Sequence, residues 1–411
     1  MDNEAKMRIQ KNTIITFIVL GILNCPGTVT RFITIISKEQ KFLNTYYGTL
    51  SYSVNLLEMV LVMWGFFLCW KSRNSINILP ILGWVLFKDF IIFIQGNCSP
   101  FSLNSWEMYI WPLIGAASCF VVCEHARSEE GVNRFLDGII LVNFFVQVLL
   151  IISGRSGITG AEAIAQGHNS VGYLAAIHIM YSLLLRDKNK KLIMIVMISF
   201  VSILFSGSRF SLLISLIGVC VFLTRIMKSV RKRNRHIARI VLSIGIVVVI
   251  FFIANPSVNS KYEILSRVSS IFKSTNVVNN IRMDQSFQER IESFNAGIRM
   301  IKDNPFGVSN SYIDVYLKIR EYDFYSFPHS TLLTFYLLWG PIFLICIIWI
   351  LIRMKKTDDR NMFDFLIFIL CCFMFYGGLE VAPKWYAYIF ALFSIIRMRE
   401  KAQIEKNNLG N

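Results

Sequence analysis

"LIMIVMISFVSILFSGSRFSLLISLIGVCVFLT" occupies residues 192–224, two apolar runs parted by Ser206, Gly207, Ser208 and Arg209. A membrane crossing needs about 20 mainly apolar residues. The two runs therefore read as consecutive spans, and the four residues between them as a very short hairpin that places a permanent cation at the membrane surface.

The rest of the chain agrees with a membrane reading. Of its 411 residues, 55% are hydrophobic, 14% aromatic and only 17% charged, and the mean hydropathy is positive, a composition foreign to soluble domains of this length. The fold class expected is an all-α polytopic membrane protein with about 12 transmembrane helices, near 13–36, 47–70, 76–95, 106–124, 135–153, 170–186, 191–206, 209–227, 237–254, 329–352, 363–380 and 384–397. This gives a bundle of about nine spans over 1–254, an extracytoplasmic loop over 255–328, three more spans over 329–397 and a tail over 398–411. The N-terminal stretch has no small-residue cleavage site, so the first span reads as a retained anchor.

Charge sets the orientation. Of the 42 Lys and Arg, 26 fall in segments that are cytoplasmic if the N-terminus is inside, and 14 on the other side. Nine of those 14 belong to the long loop, which translocates largely regardless of charge. The short outer loops keep five: Lys38, Lys41, Arg155, Arg209 and Lys384. Both termini are then cytoplasmic. The net charge of +16 is accounted for by "RIMKSVRKRNRHIAR" (225–239) and its like as topology anchors, with no nucleic acid needed. Arg209 gains nothing from that bias. It is either an anchor snorkelling to the headgroups or part of an anion site.

Eight of the nine cysteines lie in apolar runs, and no CxxC occurs. Neither a zinc site nor a disulfide framework is indicated. The five histidines (125, 168, 178, 236 and 329) show no ligand spacing, so no metal or other cofactor is expected. His178, in mid-span, reads as a hydrogen-bonded bundle residue. Glu58 and Lys88, at reachable depths in neighbouring spans, are expected to pair.

The long loop carries "SFQERIESFNAGIRMIKDNPFG" (286–307). Ser286 and Glu289 form a capping-box pattern and Asn304-Pro305 a stop, so a helix of about four turns is expected. On it Phe287, Ile291, Phe294, Ile298 and Ile301 fall within about 40° of one line, a face that should pack on something. Arg290 borders that face. "PHSTLLTFYLLWGP" (328–341) then places His329 at the mouth of the tenth span.

Taken in order, "SGSR" between two spans, "QERIESFNAGIRMIKDNPFG" in a large outer loop and "PHSTLLTFYLLWG" opening the next span resemble the O-antigen polymerase and O-antigen ligase family. The resemblance covers the whole layout, and it implies a metal-independent glycosyltransferase of the cytoplasmic (inner) membrane with its active site on the extracytoplasmic face. It matches Arg209 to the family's hairpin arginine, Arg290 to the arginine opening the loop helix, His329 to the histidine after the loop, and Asn169 to the Asn that ends an outer loop. Ser330 stands where the family often has Asn, and "GVS" (307–309) where it has "GxG".

The implied substrate is an undecaprenyl-diphosphate-linked oligosaccharide, passed to another lipid-linked repeat by a polymerase of O-antigen or capsule, or to a lipid A core sugar by a ligase. A chain-length regulator and a flippase of the same pathway would be its companions. Polymerase is the expected branch. Arginine suits the departing diphosphate because it stays charged and forks to phosphate oxygens. An imidazole, titrating near ~6.5 when unperturbed and kept neutral by nearby cations, suits the acceptor proton. Arg31 would be a third diphosphate contact, and Glu380 would meet sugar hydroxyls. A lipid-linked oligosaccharide flippase remains the alternative of another class, although it has no use for the capped loop helix. A transferase using a polyprenyl-phosphate sugar would need an acid in the first outer loop, which offers only Glu39.

Overall fold

The computed structural model describes residues 11–24, 57–68, 107–154, 168–186, 190–229, 285–308, 312–324, 328–356, 360–375 and 383–409. Among them all regular structure is helical: α1 (Lys11–Asn24), α2 (Leu57–Leu68), α3 (Glu107–Ala126), α4 (Glu129–Ile152), α5 (His168–Leu185), α6 (Lys190–Ser206), α7 (Arg209–Ser229), α8 (Gln285–Asp303), α9 (Tyr312–Ile319), α10 (Thr331–Trp339), α11 (Pro341–Lys356), α12 (Arg360–Phe375) and α13 (Pro383–Leu409). By length and composition α4 is the described helix able to cross a membrane, and several shorter helices are equally apolar. The expected spans at 76–95 and 237–254 lie outside the described residues, as do Lys88, Arg31 and Glu380.

The chain forms two compact units, Met1–Ile139 with Glu292–Asp358 and Phe373–Asn411, and Ile140–Ile291 with Asp359–Cys372. In the first, α3 and α13 pack along each other. A Cβ on Gly115 would stand 2.4 Å from that of Tyr386, and further along both helices the Cys119 Sγ lies 3.4 Å from the Ser394 Oγ. Both positions advance together, so the helices run parallel, with small residues setting the close approach. Lys384, expected as a loop charge, is instead fully buried at the start of α13. Its ammonium donates to Asn24 Oδ1 at 2.8 Å. About four turns further along α13, Arg399 Nε donates to Glu129 Oε2 at 3.0 Å and its Nη2 donates to Oε1.

The loop helix α8 is anchored in the same unit. Its buried positions are Ser293, Ala296, Gly297 and Met300, and with Val308, Val315, Ile319, Phe324, Leu337 and Leu338 the last two apolar ones, Ala296 and Met300, form one core. Of the bulky line expected to pack, Phe294, Ile298 and Ile301 are partly buried, Ile301 against this core, whereas Ile291 is 40% exposed, so the fully buried face lies to one side of that line. The reason is distance: α8 lies so close to α10 that a Cβ on Gly297 would be 2.9 Å from Leu333, so small residues rather than large ones define the buried face. The helix also starts at Gln285, which puts Ser286 within it rather than at its cap.

The tenth expected span is not continuous. α10 ends at Gly340, whose φ of 65° a side chain rarely adopts, and α11 starts on Pro341. Proline suits a first helical position because it lacks the N–H that would go unsatisfied there. The backbone of residues 306–308 docks at the break: Val308 N–H donates to the Leu337 carbonyl at 2.7 Å. A Cβ on Gly340 would be 2.4 Å from the Phe306 carbonyl oxygen, and one on Gly307, at φ 98°, would be 2.8 Å from that of Leu337. Irregular backbone at a broken span needs such protein partners.

In the second unit α5 packs on α6 and α7 around Ala175, Ala176, Ile179, Ile203 and Leu212. Gln147 and Ser202 bond reciprocally, Nε2 to the Ser202 carbonyl at 3.1 Å and Ser202 Oγ to Oε1 at 2.6 Å. His178 is buried beside Tyr181, ring centroids 6.0 Å apart. This matches its expected place inside the bundle.

Candidate functional site

Ser206 to Arg209 form the short turn read from the sequence. Gly207 takes φ 69°, Ser206 Oγ accepts from the Ser208 N–H at 3.2 Å, and the Ser208 and Ser211 hydroxyls meet at 2.7 Å. Arg209 is the first residue of α7. α5 begins at the same end of the unit, because Gly172 is where the turn docks: a Cβ there would come within 2.6 Å of Ser206 Oγ and 2.8 Å of Ser208. Asn169, three residues earlier, thus shares this end with Arg209.

Arg290 belongs here too. Its guanidinium carbon stands 5.6 Å from the centroid of Phe210, whose other neighbour is Tyr173, stacked at 6.2 Å. A cation over an aromatic face is held by the ring's quadrupole. The start of α5, the start of α7 and a ring-mounted arginine thus lie at one end of the unit, and a helix start carries a partial positive charge. That is an arrangement for a multiply charged anion.

His329 belongs to the first unit. Its backbone N–H donates to the fully buried Ser293 Oγ at 2.6 Å, and its ring meets Phe324 edge-on, centroids 6.5 Å apart. Ser330 caps α10, accepting from Leu333 N–H at 3.4 Å, and its hydroxyl donates to the Phe373 carbonyl at 3.4 Å. Serine and asparagine are both good N-caps, which explains why Ser330 can stand where the family often has Asn. Gly307 holds the first position of the "GxG" pattern in the conformation it needs, while Ser309 lies outside the described residues.

The structure therefore brings Asn169, Arg209 and Arg290 to one end of one unit and fixes the backbone of His329 within the other. Phe210, Tyr173, Gly172 and Ser293 were not singled out from the sequence. The aromatic next to Arg209 and the glycine in "NSVGYL" (169–174) were the available signals, but their partners lie far along the chain.

Among the described residues the protein is all-helical and rich in apolar helices, and the Arg209 turn and Arg290 lie at one helical end of the second unit. Its closer kinship comes from comparison. Residues 192–348 match the Wzy_C family model, described as O-antigen ligase, so the chain contains a domain of that family. Arg209, Arg290 and His329 all fall within the matched residues, whereas Asn169 precedes them. None of the curated proteins compared with the chain matches it.

Proposed function

We propose that the protein transfers a glycan from a lipid-linked diphosphate to an acceptor hydroxyl on the extracytoplasmic face of the cytoplasmic membrane. The observation that carries this is the meeting of Arg290, the Arg209 turn and the start of α5 at one helical end, inside or beside the matched domain. The acceptor oxygen attacks the anomeric carbon, the bond from that carbon to the diphosphate breaks, and His329 takes the acceptor's proton. Arg209 and Arg290 meet the charge growing on the departing diphosphate. They do so without a metal, because two guanidinium groups and two helix N-termini supply the positive field. Asn169 would orient the donor, with Arg31 and Glu380 in the roles given above.

Three contacts of the first unit support a twelve-span topology with both termini inside. Lys384 at the outer end of the twelfth span meets Asn24 within the first, and Glu129 with Arg399 joins the inner ends of the fifth and twelfth. The fourth and twelfth spans, which should run the same way, are the parallel α3 and α13.

Of the two acceptors, the description of the matched family favours the ligase reading over the polymerase expected from sequence. Purified protein given a lipid-linked repeat alone should yield no ladder, and adding lipid A core should yield a glycan-bearing product that forms in the presence of a chelator. A ladder without lipid A core would restore the polymerase. Replacing Arg209, Arg290 or His329 by Ala should lower transfer by about 10² to 10³ for each arginine and 10² to 10⁴ for the histidine. Wild-type rates in all three variants would overturn the assignment, and lipid movement across a vesicle with no new glycosidic bond would favour a flippase.

A further inference from the structure

A cavity of about 210 Å³ lies at the opposite end of the first unit, lined by Lys11, Asn12, Glu124, His125 and Arg127. It joins the start of α1 to the end of α3, both cytoplasmic ends in the topology above. One water needs only about 10–15 Å³ of such space, so the cavity has room for a polar headgroup. Its walls carry both signs. Lys11 and Arg127 are donors only, while Glu124 is an acceptor. Asn12 is 8% exposed, and its Oδ1 finds no hydrogen-bond partner among the described residues.

The side chains are arranged rather than scattered. His125 Nδ1 lies 2.8 Å from the Val121 carbonyl, so Nδ1 carries the hydrogen and Nε2 is the atom left to act. Its ring is held edge-on by Trp64, centroids 5.7 Å apart. Arg127 closes α3 with φ 45° and its N–H on the Cys123 carbonyl, a position where glycine is usual. Its Nε donates to the Glu124 carbonyl at 3.2 Å, and its Nη2 is 3.8 Å from the Glu124 carboxylate. Placing an arginine where the backbone favours glycine is unexplained by packing, since the side chain is 68% exposed.

We propose that this cavity binds a phosphate group with a primary ammonium beside it, the headgroup of an aminophospholipid of the inner leaflet. The phosphate meets Lys11 and Arg127, and the ammonium donates to Glu124 and Asn12 Oδ1. Choline, which cannot donate, and glycerol headgroups, which lack the cation, satisfy only half of the site.

Delipidated full-length protein, titrated by native mass spectrometry with phosphatidylethanolamine, phosphatidylglycerol, phosphatidylcholine and free phosphoethanolamine, tests this. Phosphatidylethanolamine should bind at least about tenfold more tightly than the other two lipids, a ratio of the size one charged hydrogen bond supplies. Arg127→Gly, whose backbone suits the site, and Lys11→Ala should each lose about tenfold, and Glu124→Gln should abolish the preference for ethanolamine over glycerol. Equal binding of the three lipids, unchanged binding in the Arg127→Gly, Lys11→Ala double variant, or free phosphoethanolamine binding as tightly as the lipid would each overturn the proposal. Glycan transfer is not the readout, so failure here leaves the function above standing.

Discussion

Two joints between helices invite comparison: the Ser206–Arg209 turn and the Trp339–Pro341 break. Both turn on a glycine with φ near +65° to +70°. The first is sealed by its own hydroxyls and by Gly172 of α5 within one unit. The second is sealed by backbone from residues 306–308 of the long loop. Each joint draws on a partner about thirty positions away, but the first docks on a glycine of the neighbouring helix α5, whereas the second makes the α10–α11 junction depend on loop backbone. That dependence ties the position of His329, ten residues before the break, to the folding of the loop helix.

The largest effect should follow from Gly340→Ala, which adds strain at φ 65° and a clash with the Phe306 carbonyl, together about 3 kcal/mol or more. Thermal unfolding in detergent should show the variant much less stable than Gly207→Ala, which carries the φ penalty at about 1 kcal/mol. The reverse order would break the comparison. Gly172→Val comes next, forcing α5 away from the serines of the turn at a cost of about 1–3 kcal/mol. Its transfer rate should fall with its stability, because the two helix N-termini separate.

Phe210→Leu should leave stability nearly intact and slow transfer by roughly 2- to 30-fold, the worth of a cation–π contact at about 0.5–2 kcal/mol. Wild-type transfer by Phe210→Leu would show that the ring does not position Arg290. The smallest effect belongs to Tyr322, on the loop side of the break. Its hydroxyl donates to Asp303 Oδ2 at 2.8 Å. Burial and that carboxylate push its pKa from 10.0 up to about 12. A raised value means the protonated form is favoured in the folded loop, so the contribution is full below pH 10 and lost as the pH passes about 12. Tyr322→Phe should remove that alkaline sensitivity in hydrogen exchange of α8, at a cost of under about 1 kcal/mol near neutrality.

Much of this was legible in the chain. The helices around the hairpin begin and end within two residues of their expected places, since apolar length and the "SGS" interruption act locally. The loop helix ends at Asp303 as its Asn-Pro stop requires. Arg290 and Arg209 were named from motif order, and the packing of Phe210 brings them into one unit. The buried face of α8 was misread because the apolar line was followed by size. Close approach to α10 rewards Ser293, Ala296 and Gly297, and only the neighbour's position reveals that. Lys384 was misread for a similar reason: its charge suggested a loop, but Asn24, 360 residues away, offers it an acceptor inside the bundle.

What the sequence determined by itself is the apolar, helical character of the described segments and the motif order that singles out Arg209, Arg290 and His329. The first follows from solvent: a hydrocarbon layer demands long apolar helices, and cations without a topological reason point to an anion. Which helix ends meet, where α10 gives way to α11 and which residues hold Arg290 and His329 were decided by tertiary structure. Those outcomes rest on contacts between distant segments, whose free energy depends on approach distance and so cannot be summed along the chain.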